Sequence, residues 1–274
     1  MFVLSVLFLA ACQKEIDWGL GGNAVANKLL VKISSKTGAD STTISYTYNT
    51  AKQLIGENTT GVSGTTSVDN DLKIFRNSSG IIQRTVQVAS ALTANGIDSI
   101  VTRFNYNTTL ARYTSSVFAV TVMGTNVVDS VSYVYDAAGK ITSDEHYLKV
   151  SILPPMLSAK NQYTYSADGF NVTMVQQSAA TSIGGAISPL ASQTYTYDSK
   201  KNPLIVKQEG ILLFRTGLFN AQNPLKTVVT NTSDPTADFT MDFVYRYNSA
   251  GKPDSSYGTR TPGGAITASK YFYQ

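Results

Sequence analysis

The chain is poor in the residues that carry out most enzyme chemistry. Its 274 residues include one Cys, one His and one Trp, which are Cys12, His146 and Trp18. A single Cys excludes an internal disulfide and a CxxC metal site, and one His with one Cys leaves too few ligands for zinc. The composition therefore predicts no metal and no cofactor, and it favours a protein that is not an enzyme.

Charge is sparse as well. Charged residues make up 15% of the chain, and the formal net charge is +4. Lys and Arg are scattered singly, whereas a nucleic-acid-binding face needs a basic cluster interleaved with aromatic residues. The glycine-rich segment 19–22 precedes no strand-to-helix turn, so it is not typical of a phosphate-binding loop. We expect no nucleic-acid partner.

The abundant feature is a short aromatic repeat, in which two aromatic residues separated by one residue are followed by Asn, Asp or Ser. The copies place turn residues at Asn49, Asn77, Asn107, Asp136, Ser166, Asp198, Asn220 and Asn248. The steps between them are 28, 30, 29, 30, 32, 22 and 28 residues. A period in this range indicates an array of one supersecondary unit.

Each repeat reads as a strand followed by a tight turn. Alternating aromatic residues share one face of a strand. An Asx followed three residues later by Gly, as in Asp136 and Gly139, predicts a type I turn closed by a bulge that needs positive φ. In two copies Asn202 and Asn223 replace Gly, and we expect the following Pro203 and Pro224 each to open the next strand.

Eight hairpins predict an all-β fold of about sixteen strands. We expect a long antiparallel up-and-down meander of about eight hairpin repeats, curled into an open or closed barrel-like sheet, as a single domain over residues 28–274. The last copy, Tyr271 to Gln274, is expected to pair with a first strand near Leu29 to Ile33 and remove both edges. Helical signal is almost absent, and segments 151–160 and 177–192 are predicted as loops.

The N-terminus indicates export. The apolar run from Phe2 to Ala11 is too short to span a bilayer, which needs about 20 residues, so residues 1–11 read as a signal peptide. Leu9-Ala10-Ala11-Cys12 resembles the bacterial lipobox, which implies lipid attachment at Cys12 and a flexible tether over 12–27. The run lacks a preceding Lys or Arg, so either the start lies upstream or the chain is trimmed. A buried N-terminal strand is the alternative.

Together these features resemble a known class of proteins. The segment Cys12 to Glu15 resembles the signal that sends Bacteroidetes lipoproteins to the outer cell surface. The lipobox, tether and repeats resemble Bacteroidetes lipoproteins of unknown function with a porin-like β-meander, and the repeats are similar to the tyrosine–aspartate repeats of Rhs-type shell proteins. The resemblance covers roughly residues 29–274. It implies a lipid-anchored protein of the bacterial outer membrane, exposed at the surface or facing the periplasm, with no catalytic residues.

Few residues remain as candidates for chemistry. His146 follows Asp144 and Glu145 on a predicted strand, and we expect an exposed residue rather than a general base. Asp238 and Asp242 share a strand face, which is the usual pattern of solvated carboxylates rather than of a hydrolase pair. The segment 69–71 lacks the spacing of a calcium loop and is predicted as a polar loop.

Four functions remain open. The leading hypothesis is a non-catalytic envelope protein that binds a glycan or another small ligand, although the repeat already accounts for most of the tyrosines. The alternatives are a structural subunit of a surface adhesion or glycan-uptake complex, an envelope hydrolase and a transmembrane barrel. Segment 117–123 is apolar on both faces, but most strands carry Ser and Thr on both faces, so no lipid-facing band is expected.

Overall fold

Sixteen antiparallel strands pair in chain order and close into a barrel. The computed structural model describes residues 28–122, 124–182, 184–204, 209–213 and 220–274. The strands are β1 Leu30–Thr37, β2 Asp40–Tyr48, β3 Leu54–Ser63, β4 Thr66–Arg76, β5 Ile82–Ala89, β6 Ile100–Asn107, β7 Arg112–Val122, β8 Thr125–Tyr135, β9 Ile141–Val150, β10 Met156–Tyr165, β11 Val172–Ala180, β12 Ile187–Lys201, β13 Gln222–Asn231, β14 Phe239–Tyr247, β15 Pro253–Thr261 and β16 Ile266–Tyr273. Two four-residue helices, α1 Ser90–Thr93 and α2 Glu209–Leu212, and a 3-10 helix, Pro235–Ala237, complete the described elements.

The barrel closes where the sequence predicts. Strand β1 lies between β2 and β16, and Leu30 pairs with Tyr273. The Leu29 amide donates to the Gln274 carbonyl at 2.8 Å, and the Gln274 amide donates back to Leu29 at 3.0 Å. The all-β meander and the pairing of its two ends are confirmed, and of the open and closed forms the barrel adopts the closed one.

The tight turns have the predicted geometry. The Gly139 amide donates to the Asp136 carbonyl at 3.1 Å, and Gly139 has φ +79°. Equivalent turns follow β2, β4, β10 and β14. After β2 the left-handed position is occupied by Lys52, with φ +61°, so one copy tolerates a residue with a side chain there.

Side chains alternate between an inner wall, which faces the barrel interior, and an outer wall. On β4, Leu72 and Ile74 are buried on the inner wall, whereas Lys73 between them is exposed on the outer wall. Strand pairing then assigns the remaining strand residues to the inner or the outer wall, because directly paired residues share a face. Charged residues of the outer wall are Lys32, Lys36, Asp69, Asp71, Arg84, Arg103, Glu145, Lys149, Lys160, Lys226, Asp242, Arg246 and Lys270. The apolar core therefore lies inside the barrel.

Two predicted loops are strand over half or more of their length. Strand β10 begins at Met156, inside the segment 151–160, and β11 and β12 occupy most of 177–192. The prediction was wrong because Ser, Ala and Pro have weak strand preference, whereas neighbouring strands here supply the backbone hydrogen bonds. Pro189 pairs with Ser178 at a register shift, which is one of the few sheet positions that accept Pro.

One repeat copy was assigned wrongly. Asn220 does not end a strand; it lies in the long connection between β12 and β13, and Leu218 and Phe219 of that copy lie outside the described residues. The eighth strand end belongs instead to the C-terminal copy at Tyr273. Pro224 lies near the start of β13, as expected, but Pro203 lies in the connection and opens no strand.

Candidate functional site

The two ends of the barrel differ. We call the end with the turns that follow the even-numbered strands the closed end, and the opposite end, where each even-numbered strand begins, the open end. At the closed end five strands begin with a branched aliphatic residue that is almost fully buried. These residues are Leu30, Leu54, Ile82, Ile141 and Val172. They form one core with the inward aromatic residues of the repeat, such as Tyr46 and Tyr133.

The second aromatic position of the repeat ties the closed end together. Its hydroxyl donates to the backbone carbonyl at the start of the preceding strand, as from Tyr48 to Leu30 at 2.8 Å and from Tyr165 to Ile141 at 2.7 Å. The same bond is made by Tyr135 to Tyr113, Tyr197 to Val172 and Tyr273 to Pro253. In seven hairpins the strand register shifts just before this position. Such a shift interrupts the regular hydrogen bonds of the sheet, so a backbone carbonyl at the start of a strand needs another donor.

The described part of the connection between β12 and β13 packs against the core at the closed end. Its helix α2 buries Ile211 and Leu212, and Glu209 forms a two-pronged ion pair with Arg76 of β4 at 2.9 and 2.7 Å. The Arg76 side chain is only 5% exposed. Arg76 occupies the second aromatic position of its repeat, and like the tyrosines there it donates to a strand-start carbonyl, that of Leu54. Its ion pair with Glu209 also attaches helix α2 to β4.

A buried charged cluster lies on the inner wall, on strands β8 to β10. The two ring nitrogens of His146 lie 3.0 Å from Asp129 Oδ2 and 3.2 Å from Asp144 Oδ1. Asp144 is fully buried and also accepts hydrogen bonds from Asn161 and Tyr163. The expected exposed His146 is therefore corrected: its side chain is only 16% exposed.

The geometry of this cluster does not suit general-base catalysis. Burial alone would lower the pKa of His146, but hydrogen bonds to Asp129 and Asp144 raise it to about 9. A general base near neutral pH needs a lower pKa and a nitrogen directed at a nucleophile. Here both nitrogens face carboxylates, so the cluster links β8 and β9.

Sequence reasoning missed this cluster because it considered His146 with its chain neighbours alone. Asp144 and His146 are two residues apart and share a face, whereas Glu145 points to the outer wall and binds Lys160 at 2.9 Å. Folding the hairpin about the predicted turn at Asp136 would have brought Asp129 beside His146, since Val131 pairs with His146.

The other candidate residues do not converge. Asp238 precedes β14 and accepts from the Asn231 amide at 2.6 Å, whereas Asp242 lies on the outer wall, 3.7 Å from Lys226 Nζ. Segment 69–71 belongs to strand β4, so its prediction as a loop was wrong. Among the described residues no group of His, Cys, Asp and Glu is arranged to hold a metal ion.

The N-terminal predictions lie outside the described residues. They comprise the signal peptide 1–11, the lipidated Cys12 and the tether 12–27. In the part of the chain that the structure describes, no helix has the length and apolarity needed to cross a membrane.

Toward the open end the inner wall is less buried and more polar. Thr42, Asn70, Gln87 and Gln193 face the interior there and are partly exposed. The barrel is therefore filled at one end and accessible at the other. A solvent-accessible interior lined by hydroxyl, amide and aromatic groups has the chemistry of a ligand-binding site.

Comparisons with known proteins agree on the fold. No protein-family model matches the chain, and no curated protein matches its sequence. A porin-like protein from Bacteroides uniformis ATCC 8492 is similar in structure, with a TM-score of 0.56 and 14% identity over 89% of this chain and 98% of that one. A porin-like protein from Bacteroides vulgatus ATCC 8482 has a TM-score of 0.53 and 12% identity over 90% of this chain and 99% of that one. The chain thus shares the closed antiparallel barrel of these porin-like proteins.

Proposed function

We propose that the protein is a non-catalytic, lipid-anchored protein of the bacterial outer membrane whose barrel binds a glycan or another small ligand through its open end. The lipobox ending at Cys12 motivates the anchor, and the expected tether would hold the barrel away from the lipid. The barrel interior, filled at one end and accessible at the other, motivates ligand binding.

The polarity of the barrel is the observation that carries this proposal. A transmembrane barrel presents an apolar band to lipid and often a polar interior. Strand β4 has the reverse pattern: Leu72 and Ile74 face inward, and Lys73 faces outward between them. Paired outward positions such as Lys36 with Ser41 continue the polar outer wall. An outer wall of this kind suits water, so an external anchor at Cys12 is needed to hold the protein at a membrane.

An assembly subunit is the second candidate. On the outer wall Val244 is 66% exposed and pairs with Tyr257, which is 43% exposed. Exposed apolar neighbours of this kind can mark a contact surface for another protein. The envelope hydrolase is less well supported, because both nitrogens of His146 are engaged by carboxylates.

The test is localisation with Cys12→Ala as the matched variant. Cells expressing tagged protein would be labelled with a palmitate analogue and then treated with protease while intact. We expect label on the wild type alone and protease-sensitive wild-type protein at the cell surface. Absence of label, or a heat-modifiable protein that resists protease in membranes, would overturn the lipoprotein proposal and favour a transmembrane barrel.

A further inference from the structure

We infer that the inner wall of β14, from Phe239 to Tyr245, is a track that binds an extended oligosaccharide. The inference rests on the proposed ligand-binding function and assigns it a place and a ligand class. We call Phe239, Met241, Phe243 and Tyr245 the aromatic track. At about 3.3 Å per residue it runs for roughly 20 Å from the open end toward the closed end.

The repeat does not account for the whole track. Tyr245 and Tyr247 are the repeat pair, and they belong to the aromatic packing of the closed end. Phe243, Met241 and Phe239 continue the same face toward the open end. At the position equivalent to Phe243 the other even-numbered strands carry no aromatic residue; they carry Ile44, Leu72, Thr102, Val131, Asn161, Gln193 and Ser269. The additional aromatic residues therefore have no counterpart in the packing of these strands.

The track presents rings in an ordered row. The centroids of Phe243 and Tyr245 are 6.3 Å apart with planes 30° from parallel, and those of Tyr245 and Tyr247 are 6.0 Å apart at 30°. Phe239, Met241 and Phe243 are only half-buried, so they are accessible from the interior. Such rows give a chain molecule repeated apolar contacts.

Strand β15, which pairs with β14, leaves room for the side chains of the track. Gly258 of β15 pairs with Phe243, and a Cβ at that position would lie 3.0 Å from Phe243 Cε1. Glycine therefore lets the phenyl ring lie close to the backbone of β15. Nearer the open end, the Arg260 guanidinium lies 4.3 Å from the centroid of the Phe239 ring, which holds that ring in place.

Hydroxyl groups line the adjacent inner wall. Ser256 Oγ lies 3.0 Å from the Tyr271 hydroxyl, Ser269 lies 2.8 Å from Ser35, and Thr267 lies 2.6 Å from Thr37. Apolar rings beside hydroxyl rows match a sugar chain, which presents C–H faces and hydroxyl edges. A fatty acyl chain would contact the rings but form no hydrogen bond with these hydroxyls, and a polyanion would need more cations than Arg260.

The experiment is calorimetric titration of the purified full-length protein with cellohexaose, xylohexaose and maltohexaose, and with dodecanoate as the acyl probe. Phe243→Ala removes the central ring. Val244→Ala, on the outer wall of the same strand, is the matched control, and Phe243→Tyr restores a ring. We expect at least one hexasaccharide to bind, with affinity roughly tenfold weaker for Phe243→Ala and nearly unchanged for the other two variants.

Three results would overturn the inference. Hexasaccharide binding that survives Phe243→Ala would place the ligand elsewhere and leave the proposed ligand-binding function standing. Binding of dodecanoate alone would assign the interior to acyl chains. Binding of none of the four probes would remove the carbohydrate assignment, whereas the anchoring proposal is decided separately by palmitate labelling of Cys12.

Discussion

The closed and open ends of the barrel are built from the same strands but by different rules. At the closed end, a repeated pair of aromatic residues packs inward and a tyrosine hydroxyl donates to the carbonyl at the start of five strands, as Tyr165 does for Ile141. At the open end the connections vary, from the tight turn at Gly64 to the helix-containing segment after β5. Inward side chains there are partly exposed and follow no repeat.

The difference separates the part of the barrel that the repeat stabilises from the part whose inner wall varies. One repeated interaction can serve a wide barrel because each hairpin has the same shifted register and therefore a backbone carbonyl that needs a hydrogen-bond donor. The open end does not have this shared need for a donor, so the identity of its inward residues can vary from strand to strand. The part of the aromatic track from Phe239 to Phe243 lies beyond the packed end, where the repeat no longer determines the residue. The charged cluster around His146 borders the packed end, since Asp144 pairs with Tyr133.

The largest expected effect comes from removing the ion pair that holds the closed end. Arg76→Ala should lower the free energy of unfolding by about 3–5 kcal/mol, because it leaves Glu209 and the Leu54 carbonyl without their buried partner. Urea unfolding followed by circular dichroism measures the loss. Lys73→Ala is the control: its ion pair with Asp71 is exposed, so we expect at most about 0.5 kcal/mol. Equal losses in both variants would contradict the anchoring role of Arg76.

The charged cluster predicts a pH dependence of stability. The pKa of His146 is about 9 in the folded protein and 6.5 in its ordinary state, so its stabilisation is complete below about pH 6.5 and is lost as pH rises through 9. The loss should be on the order of 3 kcal/mol. Burial raises the pKa of the neighbouring Tyr133 and Tyr163, so neither should titrate in this range.

Urea unfolding at pH 6 and pH 9.5 would test this dependence. His146→Gln removes the titrating group, so the difference in unfolding free energy between the two pH values should shrink in the variant. The same difference in wild type and variant would show that His146 does not hold Asp129 and Asp144 by charge.

The smallest expected effect compares two tyrosines that differ in position. Tyr165→Phe removes the hydroxyl that caps the Ile141 carbonyl at the closed end and should cost about 1.5 kcal/mol. Tyr147→Phe removes a hydroxyl on the outer wall that binds Glu145, and it should cost less than about 0.5 kcal/mol. Thermal unfolding measures both, and a cost for Tyr147→Phe as large as that for Tyr165→Phe would argue against capping as the role of the repeat.

Much of the fold could be predicted from the sequence, and the charged cluster could have been found in part. The repeat predicted the number of strands, the turn at Asp136 and the pairing of the last strand with the first. The cluster around His146 needed one more step, because Asp129 is brought to it only when the hairpin is folded. The ion pair between Arg76 and Glu209 joins residues 133 positions apart, and no local pattern indicates it.

The sequence by itself determined the repeated unit: alternating aromatic residues set strand faces, and Asx with a following Gly sets the turns, because both effects act between near neighbours. Tertiary structure decided the rest. It placed Asn220 in a connection, where its side-chain oxygen accepts a hydrogen bond from the Val172 amide. It buried His146 between two carboxylates and left β14 open to the interior, because burial depends on which strands enclose a residue once the barrel has closed.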